Sequence, residues 1–144
     1  MLRARATGDG DLFIILIGKK VCGISGYFSV NKLFNQSDLE TMANTLSHRG
    51  VDGTNFYSHN FLGFAHNRLS IIDLSDRGKQ PMHSANNRFV IIYNGEVYNS
   101  GEIASQLKYK GPGNELNFIS STDTEVILEA FSTYGTAFID QLNG

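Results

Sequence analysis

Phe89-Val90-Ile91-Ile92-Tyr93-Asn94-Gly95-Glu96 (FVIIYNGE) sets the frame for reading the chain. A short run of aromatic and β-branched residues bounded by turn formers predicts a strand. Because the run ends on Asn-Gly, the chain can turn sharply there and present a side-chain amide beside a bare backbone N–H. Two such donors are what an oxyanion hole supplies to a tetrahedral intermediate. Asn-Gly is also the strongest short hairpin signal, and taken alone an ordinary turn is its commoner meaning.

Working outward, Phe56 to Tyr57 and Phe61 to Ala65 are runs of the same kind and predict further strands. Cys22 to Val30 (CGISGYFSV) is uncharged and reads as a strand interrupted by small residues. Helices lie between and after these runs. Ser37-Asp38-Leu39-Glu40 has the capping-box pattern, followed by Leu39, Met42, Ala43 and Leu46 at helical spacing, with Gly50 as the stop. A second helix is predicted over Glu102 to Leu107. A third starts at Thr122, with Glu125 completing a Thr-x-x-Glu box, Val126, Ile127, Ala130 and Phe131 as its buried stripe and Gly135 as its end. Thr136 to Leu142 could start one more. Capped helices and strands in mixed order predict an α+β domain.

Composition bounds the possibilities. With 144 residues, 41% hydrophobic and 18% charged, the chain suits one globular domain. A net charge of −2 gives no global field for nucleic acid or an anionic membrane, so neither is expected as a partner. The single cysteine, Cys22, cannot form an intrachain disulfide, which suits a reducing, cytoplasmic setting. The apolar run Leu12 to Ile17 follows Arg3 and Arg5, but it is shorter than the roughly 7–15 residues of a signal-peptide core. It reads as a buried or frayed extension. The four histidines show no ligand spacing and Cys22 has no second cysteine, so no metal site is expected.

Several residues could carry chemistry, each with a bland alternative. Cys22 lies among small residues that leave room around the sulfur. A free thiol is only a few per cent thiolate at neutral pH and needs a base, which its own α-amino group could be if Cys22 were the first residue. A buried structural cysteine is the commoner case. Arg68, among apolar neighbours, calls for a carboxylate, either on a ligand or inside the protein at Asp73 or Asp52. Asp123, at the start of the third helix, could simply favour the helix dipole. His48, Arg49 and Asp52 could be a polar turn at a helix end.

In combination and in order, the segments are more specific. Cys-Gly-Ile, Leu-Ser-His-Arg-Gly-Val-Asp, Arg-Leu-Ser-Ile-Ile-Asp-Leu, Gln80-Pro81-Met82, Tyr-Asn-Gly-Glu-Val-Tyr-Asn and Ser-Thr-Asp-Thr-Glu-Val-Ile-Leu follow one another. This series resembles the class II glutamine amidotransferase (glutaminase) domain of glutamine-hydrolysing asparagine synthetase. The likeness covers about Val21 to Gly144. It implies an N-terminal-nucleophile hydrolase fold of two stacked antiparallel sheets between helical layers, incomplete at the C-terminus. It implies hydrolysis of glutamine to glutamate and ammonia through a cysteinyl thioester, with the ammonia supplied to asparagine synthesis. The alternatives are another acceptor, such as one in polysaccharide synthesis, or an inert fragment.

The resemblance also implies roles. Cys22 would be the nucleophile, and Asn94 and the Gly95 N–H the oxyanion donors. Arg68 would pair with the substrate carboxylate, Asp123 helped by Glu96 with its ammonium, and Leu69 and Ile71 would offer backbone contacts. No cofactor is implied for this stretch. ATP and Mg belong to a C-terminal synthetase domain, which would be its partner. Three departures stand out, the first being that the chain stops at Asp140 to Gly144, where the family is expected to continue into further core strands and the synthetase domain. Val51 occupies the family's usual proline position. Residues 1–21 precede the cysteine and resemble nothing in the family, so the expected domain is 22–144, with 1–21 either removed or lying upstream of a true start at position 21.

Overall fold

The computed structural model describes residues 3–6, 12–17, 22–31, 33–69, 73–108 and 116–144, the first two stretches as backbone only. Among the described residues seven strands, β1 (Arg3–Ala6), β2 (Leu12–Ile17), β3 (Gly23–Phe28), β4 (Gly53–His59), β5 (Leu62–Arg68), β6 (Met82–His83) and β7 (Phe89–Asn94), join three α-helices, α1 (Gln36–Thr45), α2 (Ser100–Lys108) and α3 (Asp123–Tyr134). The fold is α+β, as the mixed order of elements predicts. β5 pairs antiparallel with β3 and β4 in a three-stranded sheet, and β7 is bordered by β6 and β2 in a four-stranded one.

Side-chain alternation along β5 and β7 explains the layers, since successive residues of a strand face opposite sides. Leu62 and Phe64 of β5 meet Val90 and Ile92 of β7 between the two sheets. On the outer side of the three-stranded sheet, Ala65 packs on Leu39 and Ala43 of α1. On the outer side of the other, Phe89, Ile91 and Tyr93 pack with Ile103 and Leu107 of α2 and with Ile127 and Phe131 of α3. Every inner position of β7 is thus apolar until Asn94, which is buried at the strand's last residue.

Several sequence expectations need correction. The N-cap of α1 is Asn35, not Ser37; its box is closed by Asp38, whose carboxylate accepts the Asn35 N–H at 2.9 Å. The two-residue shift places an equally good capping side chain nearer the preceding chain, a choice that the pattern alone does not make. The helix also ends at Thr45, before Gly50, because a separate 3₁₀ turn follows at Ser47–Arg49. Gly50 has another task. A Cβ there would lie 2.2 Å from the backbone carbonyl of Asn67, so only glycine lets this loop lie against β5.

At α3 the box is half formed. Thr122 accepts the Glu125 N–H at 3.3 Å, but the Glu125 carboxylate accepts from Ile119 and Ser120 instead of reaching back to Thr122. Gly135, with φ of 63°, ends α3 as expected, and the chain continues as a 3₁₀ helix (Gly135–Gln141). The run Leu12 to Ile17 forms β2 and pairs in parallel with β7, from Leu12 opposite Phe89 to Ile17 opposite Asn94. Every other pairing among the described residues is antiparallel. Among the described residues, no helix is long and apolar enough to cross a membrane.

Candidate functional site

The site forms where β3, β5 and β7 end side by side. Gly23 pairs with Asn67, so Cys22, one residue earlier, reaches the end of β5 at Arg68 and Leu69. The half-buried Cys22 thiol lies between the two backbone groups of Leu69: the Leu69 N–H approaches Sγ at 3.4 Å, and Sγ approaches the Leu69 carbonyl at 3.7 Å. From β7, Asn94 Nδ2 donates to the Cys22 carbonyl at 2.8 Å. Arg49 Nε donates to the same carbonyl at 3.4 Å from the loop that Gly50 lays against β5. The Asp52 N–H also holds this loop, donating to the Arg68 carbonyl at 3.0 Å. Three segments far apart in sequence converge on the backbone and side chain of one cysteine.

Arg68 is buried, and its Nη2 donates to the backbone carbonyl of Asp73. The Asp73 carboxylate is engaged elsewhere, accepting from Ser75 N at 2.8 Å and from Ser121 N at 3.3 Å. These bonds hold it below the usual carboxylate range, those from Ser75 foremost. The internal partner considered for Arg68 is therefore a carbonyl and not a carboxylate at this position. Gly78 lies beneath the guanidinium: a Cβ there would be 3.0 Å from Arg68 Nη2 and 3.2 Å from the Thr122 side chain. That closeness puts Arg68 next to the first residues of α3.

Asp123 does more than complement the helix dipole. Its Oδ2 accepts the Val97 N–H at 2.8 Å, tying the start of α3 to the chain just after Asn94-Gly95-Glu96. Burial pushes the Asp123 carboxyl up, and the nearby Glu96 charge pushes the same way, whereas bonds from the Val97 and Thr124 backbone and the Thr124 side chain oppose them. Burial also pushes the Tyr93 phenol up, with the Asp123 and Glu96 charges adding to it. Gly95 and Glu96 are exposed beside this loop. Ile71 lies outside the described residues, so only Leu69 of that pair can be placed.

Three contributors escaped the sequence reading. Arg49, a polar-turn residue by its sequence, donates to the Cys22 carbonyl. Gln80, one residue of the Gln80-Pro81-Met82 segment, is buried: its Oε1 accepts the Tyr93 N–H at 2.6 Å and its Nε2 donates to Thr124 Oγ1 at 3.2 Å. His66, facing the inter-sheet layer beside Arg68, is fully buried, and neither ring nitrogen has a hydrogen-bond partner of good geometry among the described residues. Burial, with the Arg68 charge adding, lowers it to about 4, against a weaker opposing influence of the Tyr93 backbone. A buried histidine on an apolar strand face was the available signal for it.

An α+β domain thus carries a half-buried thiol set in backbone contacts, with an asparagine amide on the carbonyl of the same residue and a buried arginine at the end of β5. The model of the glutamine amidotransferase domain matches residues 21–144, and the chain belongs to that family. Among curated proteins it is 34% identical to asparagine synthetase [glutamine-hydrolyzing] 3 of Bacillus subtilis over 128 residues, 86% of this chain and 20% of the relative. It is 33% identical to asparagine synthetase [glutamine-hydrolyzing] of Zea mays, again over 86% of this chain and 20% of the relative. Amidase chry2 of Gibberella zeae is 36% identical over 74% of this chain and 16% of its own length. The chain spans about a fifth of the length of these relatives.

Proposed function

We propose that residues 22–144 form an N-terminal-nucleophile glutaminase domain that releases ammonia for asparagine synthesis. The Cys22 thiol gives its proton to its own α-amino group, and the sulfur attacks the side-chain amide carbon of glutamine. Asn94 Nδ2 and the Gly95 N–H stabilise the negative oxygen of the tetrahedral intermediate. The C–N bond breaks, the protonated amine returns its proton, and ammonia leaves a glutamyl thioester on Cys22. Water then attacks the thioester, giving glutamate and the free thiol.

Arg68 offers a fork of donors to the substrate carboxylate, and Asp123, with Glu96 nearby, accepts its ammonium. The observation that carries this reading is the Asn94 amide on the Cys22 carbonyl at 2.8 Å, which sets an oxyanion donor next to the nucleophilic residue. An amide nitrogen has two N–H groups, so one remains for a substrate oxygen while the other holds Cys22 in place.

The base in this scheme is an amine, so the active form must begin at Cys22. N-terminal sequencing of the native, active protein is expected to read Cys-Gly-Ile-Ser-Gly; active enzyme that retains Met1 would refute the assignment. The likeness to proteins named asparagine synthetase supports asparagine as the destination of the ammonia. The acceptor chemistry, with its ATP and Mg, would belong to a synthetase domain acting as partner. Asn94→Ala is the test of the site itself: turnover should fall on the order of 10²–10³-fold with the fold intact, and a near-neutral effect would reject it.

A further inference from the structure

We infer that Gln80 is a positioning residue of the glutamine site: its buried amide locks β7 to the start of α3 and so fixes where Asp123 stands relative to Asn94. This inference rests on the glutaminase reading given above.

β6 pairs with β7 only at Met82 and His83, opposite Ile91 and Val90. Continuing the same register places position 80 opposite Tyr93. There the backbone ladder has ended, and the Gln80 side chain supplies the acceptor for the Tyr93 N–H at 2.6 Å. This bond fixes which way the amide points. A backbone N–H can only donate, so the amide oxygen must face Tyr93 and the NH₂ must face α3. There it donates to Thr124 Oγ1 at 3.2 Å, in a fully buried contact.

Thr124 lies in the first turn of α3, directly after Asp123. The Asp123 carboxylate is held from the side of β7 by the Val97 N–H, which donates to Oδ2 at 2.8 Å. One side chain thus spans from the residue before Asn94 to the residue after Asp123. It sets the distance between the two ends of the proposed substrate pocket. Buried networks of this kind are sensitive to losing any member.

A purely structural glutamine would satisfy Tyr93 and affect all ligands alike. The experiment therefore compares L-glutamine with glutaramate, the same amide without its α-ammonium, used as substrate or as competitive inhibitor. The native protein is assayed alongside Gln80→Met, Thr124→Val and the double variant, with Thr124→Ser as the conservative control. KM for glutamine should rise roughly three- to tenfold in each single variant, the scale of one lost buried hydrogen bond. The apparent affinity for glutaramate should stay within about twofold, Thr124→Ser should behave as the native protein, and the double variant should be no worse than either single one.

Equal weakening for both ligands, or no change in either, would overturn the inference while native activity upholds the glutaminase reading. Absence of glutamine hydrolysis by the native protein would overturn both. If thermal unfolding shows Gln80→Met to be unfolded, Thr124→Val against Thr124→Ser decides alone, since a valine keeps the threonine's shape and removes only its hydroxyl.

Discussion

Arg68 and Gly78 show how a charged side chain is aimed by a residue with none. The guanidinium is buried at the end of β5, donates to the Asp73 carbonyl and passes so close over Gly78 that an added Cβ would lie 3.0 Å from Nη2. Adding one at Gly78→Ala must displace the guanidinium, Asp73 or Thr122. We predict that Gly78→Ala raises KM for glutamine about tenfold or more while lowering stability by about 1–3 kcal/mol. Arg68→Lys should likewise act mainly on KM, because an ammonium cannot reproduce the bidentate fork. Steady-state kinetics on both variants check this, and a loss confined to kcat would contradict it. The roles of Arg68, Asn94 and Asp123 were suggested by motif order. Their local settings were not, because a carbonyl partner such as Asp73 O and a buried bridging amide such as Gln80 leave no pattern in the chain.

At the scale of elements, α3 matters most. Its N-cap Thr122 accepts the Glu125 N–H, the Glu125 carboxylate organises Ile119 and Ser120, and Asp123 secures the loop after β7 through Val97. The helix is held on the sheet by Ile127 and Phe131, the latter edge-on to Phe89 with ring centroids 5.2 Å apart. Thr122→Ala should cost about 1 kcal/mol by losing the cap, and Phe131→Ala about 3–5 kcal/mol by opening a cavity. Chemical unfolding monitored by circular dichroism measures both. An equal cost for the two would show that the helix is not anchored through its apolar face.

Element identity was legible because α1 and α3 carry periodic apolar faces and the strands carry aromatic and β-branched runs. The start of α1 was not, since Asn35 and Ser37 are both competent caps and the outcome depends on where the preceding chain runs. The two-residue β6 was also missed, because Met82 and His83 give no alternation to read. Pairing of Leu12 to Ile17 with β7 is a long-range choice that a local pattern does not encode.

For the whole molecule, the inter-sheet layer carries a pH dependence. His66 has its pKa lowered from 6.5 to about 4 by burial, so folding favours the neutral ring. Between these values the unfolded chain binds the proton and the folded one does not, and stability therefore rises with pH. The contribution is complete above pH 6.5 and is lost as pH falls through about 4. The native chain should lose about 3 kcal/mol more than His66→Leu between pH 7 and pH 4. Parallel denaturation curves for the two proteins would refute the burial of an uncharged imidazole.

Asn94 and Leu69 touch Cys22, Arg68 precedes Leu69, and Asp123 holds the loop that follows Asn94, a linkage that the proposed glutamine site requires. The most direct test of that site is covalent trapping with a glutamine analogue that carries a diazoketone in place of the side-chain amide. Mass spectrometry of the native protein should find one adduct, on Cys22, slowed by excess L-glutamine and abolished by Arg68→Ala in a folded variant. Labelling at another residue, or labelling of Cys22 that glutamine does not slow, would contradict the account.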